Sequence, residues 1–251
     1  MDILSVFGAL LAALAILLGH TFDGGQYSSL LNMPAFLIVV GGSIGAIMIQ
    51  VPMVTFKHAI KIFHWVVVPP VDGMETTINK IVHWSDIARK EGILSLDRFA
   101  RVEDDPYINN ALQLLIDGRT PEMIRRTLET EIDTRENFDL LAAKVYEAMG
   151  GYTPTLGILG AVMGLIHVME NLSEPGILGH GIATAFVATV YGVGLANLFL
   201  IPVSKKLSHI VYRQSREREM ILEGILCISD GENPRNVSVR LKSYLRNSYG
   251  A

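Results

Sequence analysis

The groups that could pass an ion through a bilayer in this chain are hydroxyls, because its apolar stretches carry no charge. Ile3–Leu18, Pro34–Val51, Pro154–Met169 and Gly181–Val203 contain no Asp, Glu, Lys or Arg. Thr184 and Thr189 stand inside the last of these stretches and Ser43 inside the second. Charged groups within a membrane span are rare and functional by default, since desolvating them is costly. The nearest acids, Asp2, Asp23, Glu170 and Glu174, belong to ends and links. An ion path through this chain therefore needs a carboxylate from another chain, and the stripes of small residues are where that chain's helix is expected to pack. His167, near the outer end of the third stretch, titrates in a range that suits contact with a permeating proton. The favoured reading for it is an interfacial hydrogen bond.

No other chemistry is advertised. There is no phosphate-binding glycine loop, no His-x-x-Glu-His pair and no Ser/His/Asp grouping, so the chain does not read as an enzyme and implies no cofactor or metal. The only cysteine, Cys227, rules out an intramolecular disulfide and a multi-thiolate metal site. His58, His64, His83 and His209 lie in charged segments and read as solvated. No basic arm points to nucleic acid.

Charge placement sets the topology that must position the hydroxyls. All 21 Lys and Arg lie either between Lys57 and Lys144 or between Lys205 and Arg246. Basic residues near spans stay cytoplasmic, so both segments belong on one side and an even number of crossings separates them. The simplest solution is an all-α membrane protein with four transmembrane helices in two hairpins and both termini inside. Hairpin 1 occupies residues 1–51, with spans at about 3–19 and 34–51, and hairpin 2 occupies 154–203, with spans at about 154–170 and 181–203. Between them lies a helical cytoplasmic domain, 52–153, and after them a helical C-terminal tail, 204–251. A hydrophobic content of 50% against 18% charged residues fits this better than a soluble domain. The first apolar run has no basic residue before it, so it reads as a retained span rather than a signal peptide.

Local signals mark the helices. In the middle block, Met74–Glu91 is periodic and stops at Gly92, Pro106–Asp117 stops at Gly118, and Thr120-Pro121-Glu122 offers a cap, a first-turn proline and an early acid. In the tail, an amphipathic run to about Ser229 breaks at Asp230-Gly231, and Asn233-Pro234 opens a last helix to Leu245. Periodicity through Phe138–Met149 and past Pro202 predicts that the third and fourth helices run on into the cytoplasm. In the spans, Gly41, Gly42 and Gly45, then Gly157, Gly160, Ala161 and Gly164, and finally Ala185, Ala188, Thr189, Gly192 and Ala196 form small-residue faces suited to close helix contact.

With these elements in place, the chain resembles the MotA/PomA family, the larger stator subunits of the bacterial flagellar motor. The motifs are Ile38-Val39-Val40-Gly41-Gly42, Ala88-Arg89-Lys90-Glu91-Gly92, Pro154-Thr155-Leu156-Gly157-Ile158-Leu159-Gly160 with Met163-Gly164-Leu165, Val190-Tyr191-Gly192, and Asp230-Gly231-Glu232-Asn233-Pro234-Arg235. Gly150–Pro154 and the Pro69-Pro70 pair look most like the MotC-type paralogues. The resemblance implies a bacterial inner-membrane protein that forms a pentameric ring around a MotB-type single-span partner supplying the essential Asp, and that pushes on FliG of the rotor. The other class weighed is the ExbB/TolQ proton-channel motors, against which the N-terminal hairpin argues.

The resemblance also distributes roles. Pro154 and Pro202 match the family prolines at the cytoplasmic ends of the third and fourth spans and are implied in coupling ion binding to ring movement; the alternative is a helix start for Pro154 and a plain bend for Pro202. Arg89 and Asp97, with Lys90 beside the first, match the charged residues that contact the rotor; the alternative is a solvated face. Thr189 matches the hydroxyl beside the partner's Asp, or bonds back to its own helix. In sodium-driven relatives threonines occupy the positions of Ala161, Ala188 and Thr189. Only one of those three hydroxyls is present, although Thr184 is available nearby, so the expected ion is H+, with Na+ the alternative.

Overall fold

The computed structural model describes residues 3–70, 73–171, 173 and 175–248. Among these the chain is almost entirely helical and contains no strand. In chain order the helices are α1 (Ile3–Phe22), α2 (Met33–Phe36), α3 (Gly42–Gln50), α4 (Met53–Ile62), α5 (Met74–Glu91), α6 (Asp97–Ala100), α7 (Pro106–Ile116), α8 (Pro121–Glu170), α9 (Pro175–Leu195), α10 (Ile201–Ser229) and α11 (Pro234–Ser248). Two π-helical turns, Leu37–Gly41 and Ala196–Leu200, join α2 to α3 and α9 to α10. Three continuous helical stretches, Tyr27–Gln50, Pro121–Glu170 and Gly181–Ser229, are long and apolar enough to cross a membrane, and Phe7–Phe22 is a shorter apolar helix.

The helix boundaries follow the local chemistry. Asn32 caps α2 by accepting the Ala35 amide at 3.0 Å, with Pro34 in the first turn. α5 ends at Gly92 (φ +86°) and α7 is followed by Gly118 (φ +68°), both in the left-handed region that glycine enters without a Cβ penalty. Asn233 accepts the Arg235 amide to open α11, which runs on to Ser248, beyond the expected Leu245. α1 likewise extends to Phe22. α8 is one helix of 50 residues with Pro154 inside it, so the reading of Pro154 as a helix start is corrected: the helical periodicity on both sides of it carries the helix through.

The chain divides into two compact units. One takes in the residues up to Pro69 and Phe138–His209; the other takes in Pro70–Asn137 and the residues from Ile210 onward. The first holds more than the apolar stretches, because amphipathic α4 buries Thr55, Ala59 and Ile62, and its apolar side shares a core with Ala142, Ala143, Val145, Val203 and Leu207. His58 of α4, contrary to the solvated side chain expected, stacks on Phe138 with ring centroids 4.3 Å apart, and its Nε2 meets Asp139 Oδ1 at 2.6 Å, partnering a carboxylate that is only 4% exposed. Tyr146 donates its hydroxyl proton to the Ala59 carbonyl, adding a second tie.

The second unit is built on a larger core. Ile78, Ile81 and Trp84 of α5, Leu112 and Leu115 of α7, Ile124 and Leu128 of α8, Ile225 of α10 and Leu241 of α11 are all buried together. α10 comes so near α5 at Gly224 that a Cβ there would stand 2.7 Å from Ile81 Cγ2. Cys227 is a buried member of this core, and burial pushes its thiol pKa up.

Candidate functional site

The membrane-type unit places hairpin 2 in close backbone contact. A Cβ on Gly157 would lie 2.9 Å from the Ala188 carbonyl oxygen and 3.1 Å from Gly192 Cα. One on Gly164 would lie 3.0 Å from both Ala185 N and Gly181 O, and one on Gly192 would lie 2.9 Å from Thr153 O. The small-residue stripes of α8 and α9 therefore face each other. Glycine lets the two backbones of one chain approach, and that contact takes up the Gly157, Gly164 and Gly192 part of the stripes, while Ala161 and Thr189 of the same stripes stay half-buried.

The hydroxyls are held by protein groups. Thr184 accepts the Asn32 side-chain amide at 2.7 Å, and the Asn32 backbone N–H reaches Tyr191 Oη, 3.3 Å away. Tyr191 in turn donates to the Leu30 carbonyl. The link between α1 and α2 is thus tied to α9 by Asn32 and Tyr191, to which the sequence alone assigns no such role, and by Thr184, which it marks only as a candidate hydroxyl; the one signal is Asn32 before Met-Pro, the pattern of a helix cap. Thr189 is half-buried beside Gly157, and its hydroxyl donates back to the Ala185 carbonyl at 3.4 Å. Ala188 is fully buried, in contact with Gly160, whereas Ala161 is half-buried. His167 lines a cavity of about 240 Å³ with Pro34, Ile38, Gly160, Gly164 and Thr184.

Pro154 removes one bond from the ladder of a continuous helix, and Pro202 follows a π turn. Pro154 has no N–H to give the Gly150 carbonyl, and around it Thr153 donates to Met149 O while Ser43, bonded to Val39 O at 2.6 Å, lies 3.3 Å from Thr153 Oγ1. Thr153 and Ser43 are fully buried. Pro202 follows the π turn Ala196–Leu200, which closes with an i→i+5 bond from the Ile201 N–H to the Ala196 carbonyl. A π turn directly before a proline is a place where the helix bends at little extra cost, because the regular ladder is already interrupted.

In the other unit, Arg89 and Lys90 close α5 and Asp97 opens α6, with one 3₁₀ turn, Ile93–Leu96, between them. Lys90 Nζ meets Asp86 at 2.6 Å, Arg98 meets Glu91 at 3.1 Å and Asp97 meets Arg101 at 2.7 Å. The Asp97 hydrogen bond raises the Arg101 pKa. Arg89 is exposed and has no carboxylate partner among the described residues. These pairs lie at the surface, where water screens them and each contributes little, so they can exchange partners readily.

A helical hairpin with glycine-lined contact and no Asp, Glu, Lys or Arg in its apolar stretches has the build of a membrane-type helical scaffold. Residues 100–220 match the MotA/TolQ/ExbB proton channel family. Motility protein A of Bacillus subtilis is 32% identical over 98% of this chain and 91% of its own length, and motility protein A of Helicobacter pylori strain 26695 is 34% identical over 98% and 95%. The structure of C. jejuni MotAB superposes with a TM-score of 0.92 at 29% identity, covering 97% of this chain and 96% of that one. The chain belongs to the MotA/TolQ/ExbB family, and its full-length likeness is to the motility proteins within it.

Proposed function

We propose that this chain is the larger stator subunit of a bacterial flagellar motor and forms, with a MotB-type partner, a proton path whose flux produces torque. The observation that carries the reading is the likeness to motility protein A along nearly the whole chain, both hairpins included, which favours it over the ExbB/TolQ alternative. In this reading α1 supplies a fourth span, both termini are cytoplasmic, and five copies surround the partner helices in the inner membrane. The partner's Asp is neutralised by a proton and recharged on release, and the change in charge is felt by α8 and α9 next to it. Thr189 and Ala161, both half-buried, are the positions that would face that Asp, with Ala188 as packing behind them and Thr184 holding the outer end. Pro154 and Pro202 would let the inner ends of the spans bend in response.

Proton use is supported by the shortage of oxygen ligands: Ala161 and Ala188 offer none, and the Thr189 hydroxyl is turned to its own helix. With this stator as the sole torque source, swimming speed is expected to be unchanged when external sodium is removed at constant proton-motive force, and to collapse with an uncoupler. Speed that follows sodium overturns the assignment.

Arg89, Lys90 and Asp97 would contact FliG of the rotor, with Arg89 the group most ready to take an acidic partner. Arg89→Glu is expected to impair swimming strongly while the amount of assembled complex and its ion flux stay at the wild-type level. Loss of assembly in that variant would place Arg89 in the scaffold instead.

A further inference from the structure

Beside the inner end of the fourth span lies an open groove of about 340 Å³. Gly8 and Ala9 of α1 form one wall, Phe199, Pro202 and Val203 the other, and Val66 closes a side. At Gly8 the groove is open, since nothing stands within 4 Å of where a Cβ would be. Lys206 and Ser5 also line the groove, and the Lys206 amine donates to the Ser5 hydroxyl. Around it α1 is apolar and exposed, with Leu4 80%, Phe7 62% and Leu11 57% accessible, so the groove opens toward lipid where this helix lies in a bilayer.

An apolar trough with an ammonium group and a hydroxyl on its lining has the layout of a phospholipid's own chemistry. The chain region takes the hydrocarbon, and the amine takes the phosphate oxygens. Lys205 is exposed next to Lys206 in the chain, so the basic character at this end of the groove favours a headgroup with net negative charge over a zwitterion. We propose that this groove binds an anionic phospholipid of the cytoplasmic leaflet, with one acyl chain against Gly8, Ala9 and Phe199 and its phosphate at Lys206. Because Leu198 and Phe199 of the π turn and Pro202 line the same groove, the bound lipid braces the bend of the fourth span. The inference rests on the membrane reading of the spans and is independent of which ion is carried or whether a rotor is driven.

The test uses the full chain purified with its partner, stripped of lipid, and exposed separately to palmitoyl-oleoyl phosphatidylglycerol and to the phosphatidylcholine with the same chains, with retained lipid counted by native mass spectrometry. Phosphatidylglycerol is expected to be retained over phosphatidylcholine, with Lys206→Gln reducing the difference about fivefold, the effect of one basic residue at an anionic surface. Lys206→Arg should preserve the preference and Gly8→Phe should remove retention of both lipids. In the otherwise unaltered protein in native membranes, a photocrosslinking p-benzoylphenylalanine in place of Ala9 should capture phospholipid. Equal retention of the two lipids, retention untouched by Lys206→Gln and Gly8→Phe, or capture of a second copy of this chain at position 9 would overturn the proposal.

Discussion

Gly192→Ala should abolish or nearly abolish motility and lower the thermal stability of the purified complex, while Gly194→Ala, two residues away, should do neither. A Cβ at Gly192 would stand 2.9 Å from the Thr153 carbonyl oxygen, 3.0 Å from Gly157 Cα and 3.2 Å from Pro154 Cα, and all three are backbone atoms. A flexible side chain can swing away from an added methyl, but a backbone in a continuous helix moves only if the helix moves. Overpacking of this kind costs about 1–3 kcal/mol in a core with mobile neighbours, and a rigid one belongs at the upper end. At Gly194 nothing lies within 4 Å of the added atom, so the substitution there controls for helix propensity alone. Gly157→Ala, which would meet the Ala188 carbonyl oxygen at 2.9 Å, should copy the defect, and Gly151→Ala, with open space, should not. The measurement is the midpoint of thermal unfolding of the detergent-solubilised complex alongside swimming in soft agar. Equal behaviour of Gly192→Ala and Gly194→Ala would show that α8 and α9 do not meet as closely as the geometry has it.

The contrast between these glycines explains what could be read from the residues alone. Apolar stretches, basic segments, caps and glycine stops are local signals, and they located most helix boundaries, including Gly92, Gly118 and the Asn233-Pro234 start of α11. Small-residue stripes were visible too, but a stripe states only that something approaches, not what. In the structure the neighbour is the other helix of the same hairpin, which a one-dimensional pattern cannot distinguish from a helix of another chain. The Asn32–Thr184–Tyr191 link was invisible for a similar reason: its members are about 150 residues apart and each has an ordinary local role. At Pro154 two local signals compete. A proline at the start of an apolar run offers a helix start as the alternative reading, but the periodicity through Phe138–Met149 predicts continuation, and the interruption is absorbed inside a 50-residue helix with buried Thr153 and Ser43 hydroxyls beside it. The π turns at Leu37–Gly41 and Ala196–Leu200 carry no composition signal at all.

Expressed without its partner, this chain should leave proton flux at the background of an empty membrane. The apolar stretches hold no Asp, Glu, Lys or Arg, so no group of this chain can hold and release a proton at mid-membrane depth. The hydroxyls do not substitute for one. Thr184 is engaged by Asn32, Thr189 by the Ala185 carbonyl and Ser43 by the Val39 carbonyl, each hydrogen bond stabilising the fold that a permeating ion would have to disturb. Close backbone contact of Gly157 with Ala188 and Gly192 also leaves no room between the two helices at that level. Adding a partner with a single-span Asp should therefore raise flux from background to a clear signal in a pH-sensitive dye assay, and the same partner with Asp→Asn, which cannot release a proton, should return it to background. Thr189→Val in the presence of the intact partner should reduce flux less than that Asn variant does, because in the proposed reading the hydroxyl only assists the partner's carboxylate. Strong flux from this chain alone would mean that a path exists through groups other than a borrowed carboxylate, with His167 and the cavity it lines the first place to look.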